Sequence, residues 1–73
     1  MSARPTLENR LKVARAERNL SQDDLARLAG VTRQTISSIE TGQYCPSALL
    51  AFVLAKQLGK PVEEVFFLKG DKR

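Results

Sequence analysis

SQDDLARLAGVTRQTISSIETG, residues 21–42, decides how this chain folds. Ser21 is a good helix N-cap, and Asp23 and Asp24 suit the positive end of a helix dipole. Leu25, Leu28 and Ala29 recur at helical spacing and are expected to face inward. Gly30 fits the left-handed position just past a helix end, where a Cβ would be costly. Val31 then bridges to Thr32, a second N-cap, and another helix is expected from Arg33 to about Thr41, stopped by Gly42. Two short helices meeting across a three-residue turn that contains glycine have the spacing of a helix-turn-helix.

Working outward, the remaining punctuation divides the chain into further helices. Thr6 can cap a first helix over about 7–18, with Leu7, Leu11 and Ala14 as its apolar stripe. The helices of the motif take about 22–29 and 33–41. A fourth is expected over 48–58, opened by Ser47, and its body is apolar at every position from Ala48 to Ala55. Pro61 stands just inside a short fifth helix, 62–67. The last residues, FFLKGDKR, are expected as a short extended piece or a frayed tail. No stretch of strand-like alternation is evident, so the fold class is all-α: a compact five-helix bundle, one domain over 1–73, with a short C-terminal tail.

Composition narrows the function classes. The chain of 73 residues has one cysteine, Cys45, and no histidine, which excludes an internal disulfide and a Cys/His zinc site. No metal or other cofactor is expected. No apolar segment approaches the roughly 20 residues that span a bilayer, and the first ten lack the apolar stretch of a signal peptide. A reducing, cytoplasmic setting follows as the expectation. An enzyme is disfavoured as well. There is no glycine-rich phosphate loop, and the carboxylate pairs Asp23–Asp24 and Glu63–Glu64 fall at helix starts, where a dipole role explains them. Twelve Lys and Arg against eight Asp and Glu leave a net charge of +4. The excess is concentrated early, with Arg4, Arg10, Lys12, Arg15 and Arg18 facing only Glu8 and Glu17. Such a bias suits a polyanionic partner.

The third helix carries the chemistry. With 100° of turn per residue, Ile36, Ile39 and Glu40 share one side, while Gln34, Ser37, Ser38 and Thr41 share the other. Solvated faces usually carry Glu, Lys and Ala; Ser and Thr weaken a helix and need another reason to be there. Their small side chains let a rigid surface approach the backbone closely. Arg33 and Gln34 occupy the first turn. Arg can bond guanine O6 and N7 together, Gln can do the same to adenine N6 and N7, and serine can bond either way. Arg33, Gln34, Ser37 and Ser38 are therefore the candidate base contacts.

The stretch LSQDDLARLAGVTRQTISSIETGQYCPS, residues 20–47, resembles the Cro/phage-repressor class of helix-turn-helix regulators, the Xre family. The resemblance extends from about Leu7 to Phe66 and rests on several spacings at once. These are the Ser-Gln opening, Ala26 and Gly30 at the tight crossing, Thr32, Ile36, Ile39, Glu40, Gly42 and the Pro46-Ser47 start. It implies a bundle of the phage-repressor DNA-binding-domain type, with the third helix in the major groove of a double-stranded operator. It further implies phosphate contact by Gln22, backbone contacts by Thr32, Thr41, Gln43 and Tyr44, and an added charge contact by Arg10. Arg15 and Glu40 would form a structural ion pair holding the recognition helix to the scaffold; an Arg15–phosphate contact is the alternative. Tyr44 can equally be a loop anchor. Many relatives carry a longer side chain where Ser38 stands, so part of the sequence choice here would rest on DNA shape.

Leu49, Phe52, Val53, Phe67 and Leu68 add apolar surface beyond the inward stripe of Leu50, Ala51, Leu54, Ala55 and Leu58. Either the tail folds back over it, or it is the interface of a homodimer, which would match a palindromic operator. The resulting expectation is a sequence-specific transcriptional regulator, a repressor acting by occlusion. An antitoxin with a toxin partner, a restriction–modification controller and a protein-interaction module are the alternatives. Cys45 is either a redox-sensitive thiol or incidental.

Overall fold

The computed structural model describes residues 6–69. In chain order it contains β1 (Thr6–Asn9), α1 (Leu11–Glu17), α2 (Gln22–Ala29), α3 (Arg33–Glu40), α4 (Ala48–Gln57), α5 (Val62–Val65) and β2 (Phe66–Lys69). The five helices form the expected helical bundle, and a two-stranded sheet is added to it.

The start of the first helix is corrected. Residues 6–9 are a strand, not the first turn of a helix, and Thr6 is no cap. Two local facts compete with the Thr6 signal and prevail. Asn9 Oδ1 accepts the Leu11 backbone N–H at 3.1 Å, an Asx turn that opens α1 four residues later than expected. Thr6–Asn9 also finds an antiparallel partner in β2, with Leu7 opposite Leu68 and Asn9 opposite Phe66. Ladder bonds to a partner distant in sequence outweigh a weak local helix preference. By the same pairing, the expected fifth helix stops at Val65 and Phe66 turns extended. Leu7 accordingly leaves the apolar stripe of α1, whose buried members are Leu11 and Ala14.

The other helix ends follow their caps. Ser21 and Asp24 form a capping box: Ser21 Oγ accepts the Asp24 N–H at 2.9 Å, and Asp24 Oδ2 accepts the Ser21 N–H at 3.0 Å. Gly30 closes α2 in the left-handed region at φ +74°, and the Val31 N–H reaches the Ala26 carbonyl at 2.9 Å. Thr32 Oγ1 accepts the Thr35 N–H at 3.2 Å, and Ser47 Oγ accepts the Leu50 N–H at 3.1 Å.

One core joins all five helices. Leu11, Leu25, Ile36, Ile39, Leu54, Leu58 and Val65 are its largest fully buried side chains. Each contributes about 1.5–3 kcal/mol by leaving water. In α2 the small Ala26 is buried where α2 crosses α3, while Leu28, expected inside, is half exposed. In α4 the inward stripe is as expected, with Ala51, Leu54, Ala55 and Leu58 buried and Leu50 packed against them.

Candidate nucleic-acid interface

Two ends of the bundle are tied to α3, which fixes where its outer face points. On the inner side, Ile36 and Ile39 are sunk into the core. At the far end, Glu40 is almost fully covered, its side chain 5% exposed. Arg15 Nε on α1 donates to Glu40 Oε2 at 2.8 Å, and Arg15 Nη2 reaches Glu40 Oε1 at 3.3 Å. A further Arg15 nitrogen, Nη1, donates to the Leu20 carbonyl at 2.7 Å. Gln22, the first residue of α2, donates from Nε2 to Glu40 Oε1 at 3.0 Å. Asn9 adds a third anchor, with Nδ2 donating to the Ile39 carbonyl at 3.0 Å. This satisfies one of the last-turn carbonyls that a helix end leaves free.

What remains outward is the small polar face. Arg33 and Gln34 are exposed in the first turn, Ser37 and Ser38 are half-buried, and Thr41 is exposed at the end. Arg33 has no ion-pair partner among the described residues, so its guanidinium is free for a ligand. Gln34 Nε2 donates to Ser38 Oγ at 3.2 Å, one turn along. Thr41 Oγ1 donates to the Ser37 carbonyl at 3.1 Å and lies 3.3 Å from that of Ser38. The Gln43 and Tyr44 N–H groups both donate to the Ser38 carbonyl, at 2.9 and 3.1 Å, so the loop after α3 is anchored to the same turn.

Gln22 sits at the N-terminus of α2 with one amide hydrogen used on Glu40 and the other free. The Ser21 hydroxyl takes the Asp24 N–H, leaving the backbone N–H groups of Gln22 and Asp23 available at the positive end of the helix. Asp24 is held below the usual carboxylate range, first by the Ser21 backbone N–H and then by the Ser21 hydroxyl and Arg27. Arg27 spans both acids, 2.8 Å from Asp24 and 3.9 Å from Asp23, and so offsets their negative charge beside this site.

Arg10 does not join this face. Its guanidinium lies 5.6 Å from the centroid of the Phe67 ring. It lines a cleft of about 410 Å³ between α1, α5 and β2, with Glu17, Lys60, Glu63 and Glu64, to which α3 contributes nothing. Because α1 begins at Leu11, Arg10 stands at the strand-to-helix corner and reaches toward Phe67 on β2. Tyr44 is half exposed and lines a second cleft of about 260 Å³ with Leu7, Cys45, Pro46 and Phe66. Cys45 is exposed.

The apolar surface residues also separate. Leu49 is 76% exposed and Phe52 61%, one turn apart on α4, with Val53 beside them. Phe67 and Leu68 are adjacent on a strand and so point to opposite faces of the sheet. Phe67 lies under Arg10, whereas Leu68 stands opposite Leu7. Phe67 and Leu68 therefore do not share one face of the sheet.

Sequence reasoning missed Asn9, which both opens α1 and grips α3. Its signal was present, since Asn is a strong cap two residues before Leu11, but Thr6 offered the same signal earlier. Among the described residues no cluster of His, Cys, Asp and Glu could hold a metal ion. No helix among them is long and apolar enough to cross a membrane.

The helix-turn-helix family model matches residues 11–65, from the start of α1 to the end of α5. The chain is 48% identical over 66 residues to an uncharacterized HTH-type transcriptional regulator of Methanocaldococcus jannaschii, covering 90% of this chain and all of the relative. It is 43% identical over 65 residues to the HTH-type transcriptional regulator YgzD of Bacillus subtilis, covering 89% of this chain and 98% of that protein. Among solved structures, the restriction–modification controller protein C.AhdI from Aeromonas hydrophila superposes with a TM-score of 0.72 at 34% identity, over 75% of this chain and 83% of the controller.

Proposed function

This chain belongs to the Xre-type helix-turn-helix family of DNA-binding transcriptional regulators, and from that premise we propose a dimeric repressor that reads a palindromic operator with α3. The observation that carries this reading is the outer face of α3. It joins an exposed Arg33 with no ion-pair partner among the described residues, an exposed Gln34 and a run of short hydroxyl side chains, on a helix braced from behind by Glu40. With α3 in the major groove, Arg33 donates twice to a guanine and Gln34 pairs with an adenine, while Ser37 and Ser38 lie close to the base edges. The free N–H groups at the start of α2 and the second Gln22 amide hydrogen take one phosphate. Thr32, Thr41, Gln43 and Tyr44 flank the groove and contact the backbone on either side. These contacts set register and orientation; the base contacts set sequence.

The dimer rests on α4. Its outward face, centred on Leu49, Phe52 and Val53, has no charged residue before Lys56. A helix face that stayed in water would not be built this way, and an exposed apolar patch of this kind usually marks an interface. Two copies related by a twofold axis would place two α3 helices about 34 Å apart, one turn of DNA. Occlusion of a promoter by the bound dimer is the mechanism of repression.

A second reading, control of a restriction–modification system, is favoured by the likeness to C.AhdI, itself a restriction–modification controller protein. It uses the same interface. An antitoxin role would differ in requiring a toxin partner, which would co-purify.

Selection of bound sequences from a random duplex library tests the proposal. A twofold-symmetric consensus is expected. Gln34→Ala should flatten one symmetric pair of positions, and Gln22→Ala should weaken all sequences alike. Equal losses on every sequence for both variants would remove Gln34 as a reader.

A further inference from the structure

The outward face of α4 is too small to hold a dimer by itself. Taking about 200 Å² for a fully exposed phenylalanine and somewhat less for a leucine, Leu49, Phe52 and the half-buried Val53 offer roughly 300 Å² between them. A standard interface takes about 800 Å² from each partner, a little over half of it apolar, or roughly 450 Å². Further apolar surface must join α4 if two copies are to associate stably.

The chain leads directly to such a surface. Pro46 ends the loop before α4, three residues ahead of Leu49, and no residue from Gln43 to Ala55 is charged. Pro46 also lines the cleft of about 260 Å³ that it shares with Leu7, Tyr44, Cys45 and Phe66, and every residue of that lining is uncharged. One face of the sheet forms a wall of this cleft. Phe66 and Leu68 alternate onto that face, and Asn9 and Leu7 stand across from them. Phe66 is sunk in the core, but Leu7 and Leu68 project past it, 37% and 48% exposed. The pair adds roughly 150 Å² of apolar surface, which makes up the shortfall. The larger cleft does not compete. There Val13 and Phe67 lie among Arg10, Glu17, Lys60, Glu63 and Glu64, charged side chains that would have to leave water in an interface.

We propose that a second copy of this chain covers the cleft and the Leu7–Leu68 pair, so that the dimer interface runs from α4 onto the sheet. This deepens, and rests on, the reading of the protein as a dimer. By twofold symmetry each copy gives and receives the same contact. The sheet whose Asn9 holds the end of α3 is then part of the dimer as well.

Cys45 is exposed in the isolated chain and lines the cleft, so its thiol reports on the cleft without any substitution. Its reaction with dithiobis(nitrobenzoate) is followed above and below the concentration at which sedimentation shows dimers forming, with Phe52→Glu as a monomeric reference. The thiol should react about tenfold more slowly in the dimer than in the monomer, because the reagent loses access. Leu68→Glu, checked for folding by circular dichroism, should weaken the dimer by about tenfold or more, since its charge would have to leave water. Val13→Glu, in the charged cleft, should leave the dimer unchanged. If Leu68→Glu does not fold, the thiol measurement decides alone, since it needs only the wild type at two concentrations.

A dimer whose Cys45 reacts as fast as the monomer's, or a dimer that a folded Leu68→Glu leaves intact, would overturn this proposal while the α4 dimer stands. An equal loss in Val13→Glu would also overturn it. A wild type that stays monomeric would overturn the dimer reading, and this proposal with it.

Discussion

Arg15 and Glu40, 25 residues apart in sequence, meet at 2.8 Å with both side chains largely withdrawn from water. The second Glu40 oxygen is shared by Arg15 and Gln22, so three helices converge on one carboxylate. Removing one partner leaves the other charge poorly solvated, which costs several kcal/mol, whereas replacing both with apolar groups can be close to neutral. Arg15→Ala and Glu40→Ala should each destabilise by about 3 kcal/mol, and Arg15→Met with Glu40→Leu by clearly less than the sum. Urea unfolding of the four variants checks this. Additive losses would mean that the two residues are not coupled.

Asn9 bonds the Leu11 N–H with its oxygen and the Ile39 carbonyl with its nitrogen. Asn9→Ala removes a helix-opening bond and an anchor of α3 together. A loss of about 1–2 kcal/mol is expected, the upper part of the range for a cap, measured as a shift of the urea midpoint at unchanged m-value. Asn9→Asp keeps the Leu11 bond but faces the Ile39 carbonyl with an oxygen, so it should recover only part of the loss.

The capping box makes one pH dependence. Asp24 is held below its ordinary pKa, chiefly by the Ser21 N–H, so its ionised form stabilises the folded state. For a carboxyl lowered on folding, that stabilisation is present above the unfolded pKa, near 4, and is lost as pH falls through the lower folded value. Stability from this group should be flat from pH 7 to about 5 and fall below about 4. Asp24→Asn should show a shallower acid-side decline than the wild type in urea midpoints between pH 2 and 5. Identical slopes would remove Asp24 from the acid response.

Phe52→Glu and Leu49→Glu place a charge on the outward face of α4 without touching the core. Each should turn a dimer into a folded monomer in sedimentation, and should weaken operator binding by more than tenfold while leaving the helical circular dichroism intact. A wild type that sediments as a monomer at tens of micromolar would remove the dimer.

Binding to duplex DNA should fall linearly in log affinity with log salt. Arg33→Ala should make this dependence less steep. Arg10→Ala should not, because its guanidinium stacks on Phe67 in the cleft of α1 and α5. An equal change of slope for both would return Arg10 to the DNA face.

The central part of the fold was legible because its signals are local. Ser21, Thr32 and Ser47 cap with their own side chains, and Gly30 and Gly42 lie at positive φ just beyond helix ends. The helical period also separated Ile36 and Ile39 from Ser37 and Ser38 without reference to any other element. The strands were not legible, since Thr6–Asn9 is extended only because Phe66–Lys69 lies beside it. Four residues are too few for alternation to show, and Thr6 is as good a cap as Asn9. The bond from Gln34 to Ser38 is permitted by their spacing of one turn, but the same spacing fits many pairs that never touch. Gln22 carried a family signal for phosphate and none for Glu40.

The pairing of Thr6 with Lys69 has a consequence for how the domain comes to exist. Closure of the sheet joins the described segments that lie farthest apart in sequence, so among the described residues it carries the largest loop-closure entropy and is expected late in folding. On a ribosome, β1 emerges before the helices and waits unpaired until residue 69 has left the exit tunnel. Asn9 stands at the base of that strand and holds the end of α3. α3 is thus complete before β2 exists, and a product truncated before residue 66 would carry α3 without the sheet that steadies Asn9 against it.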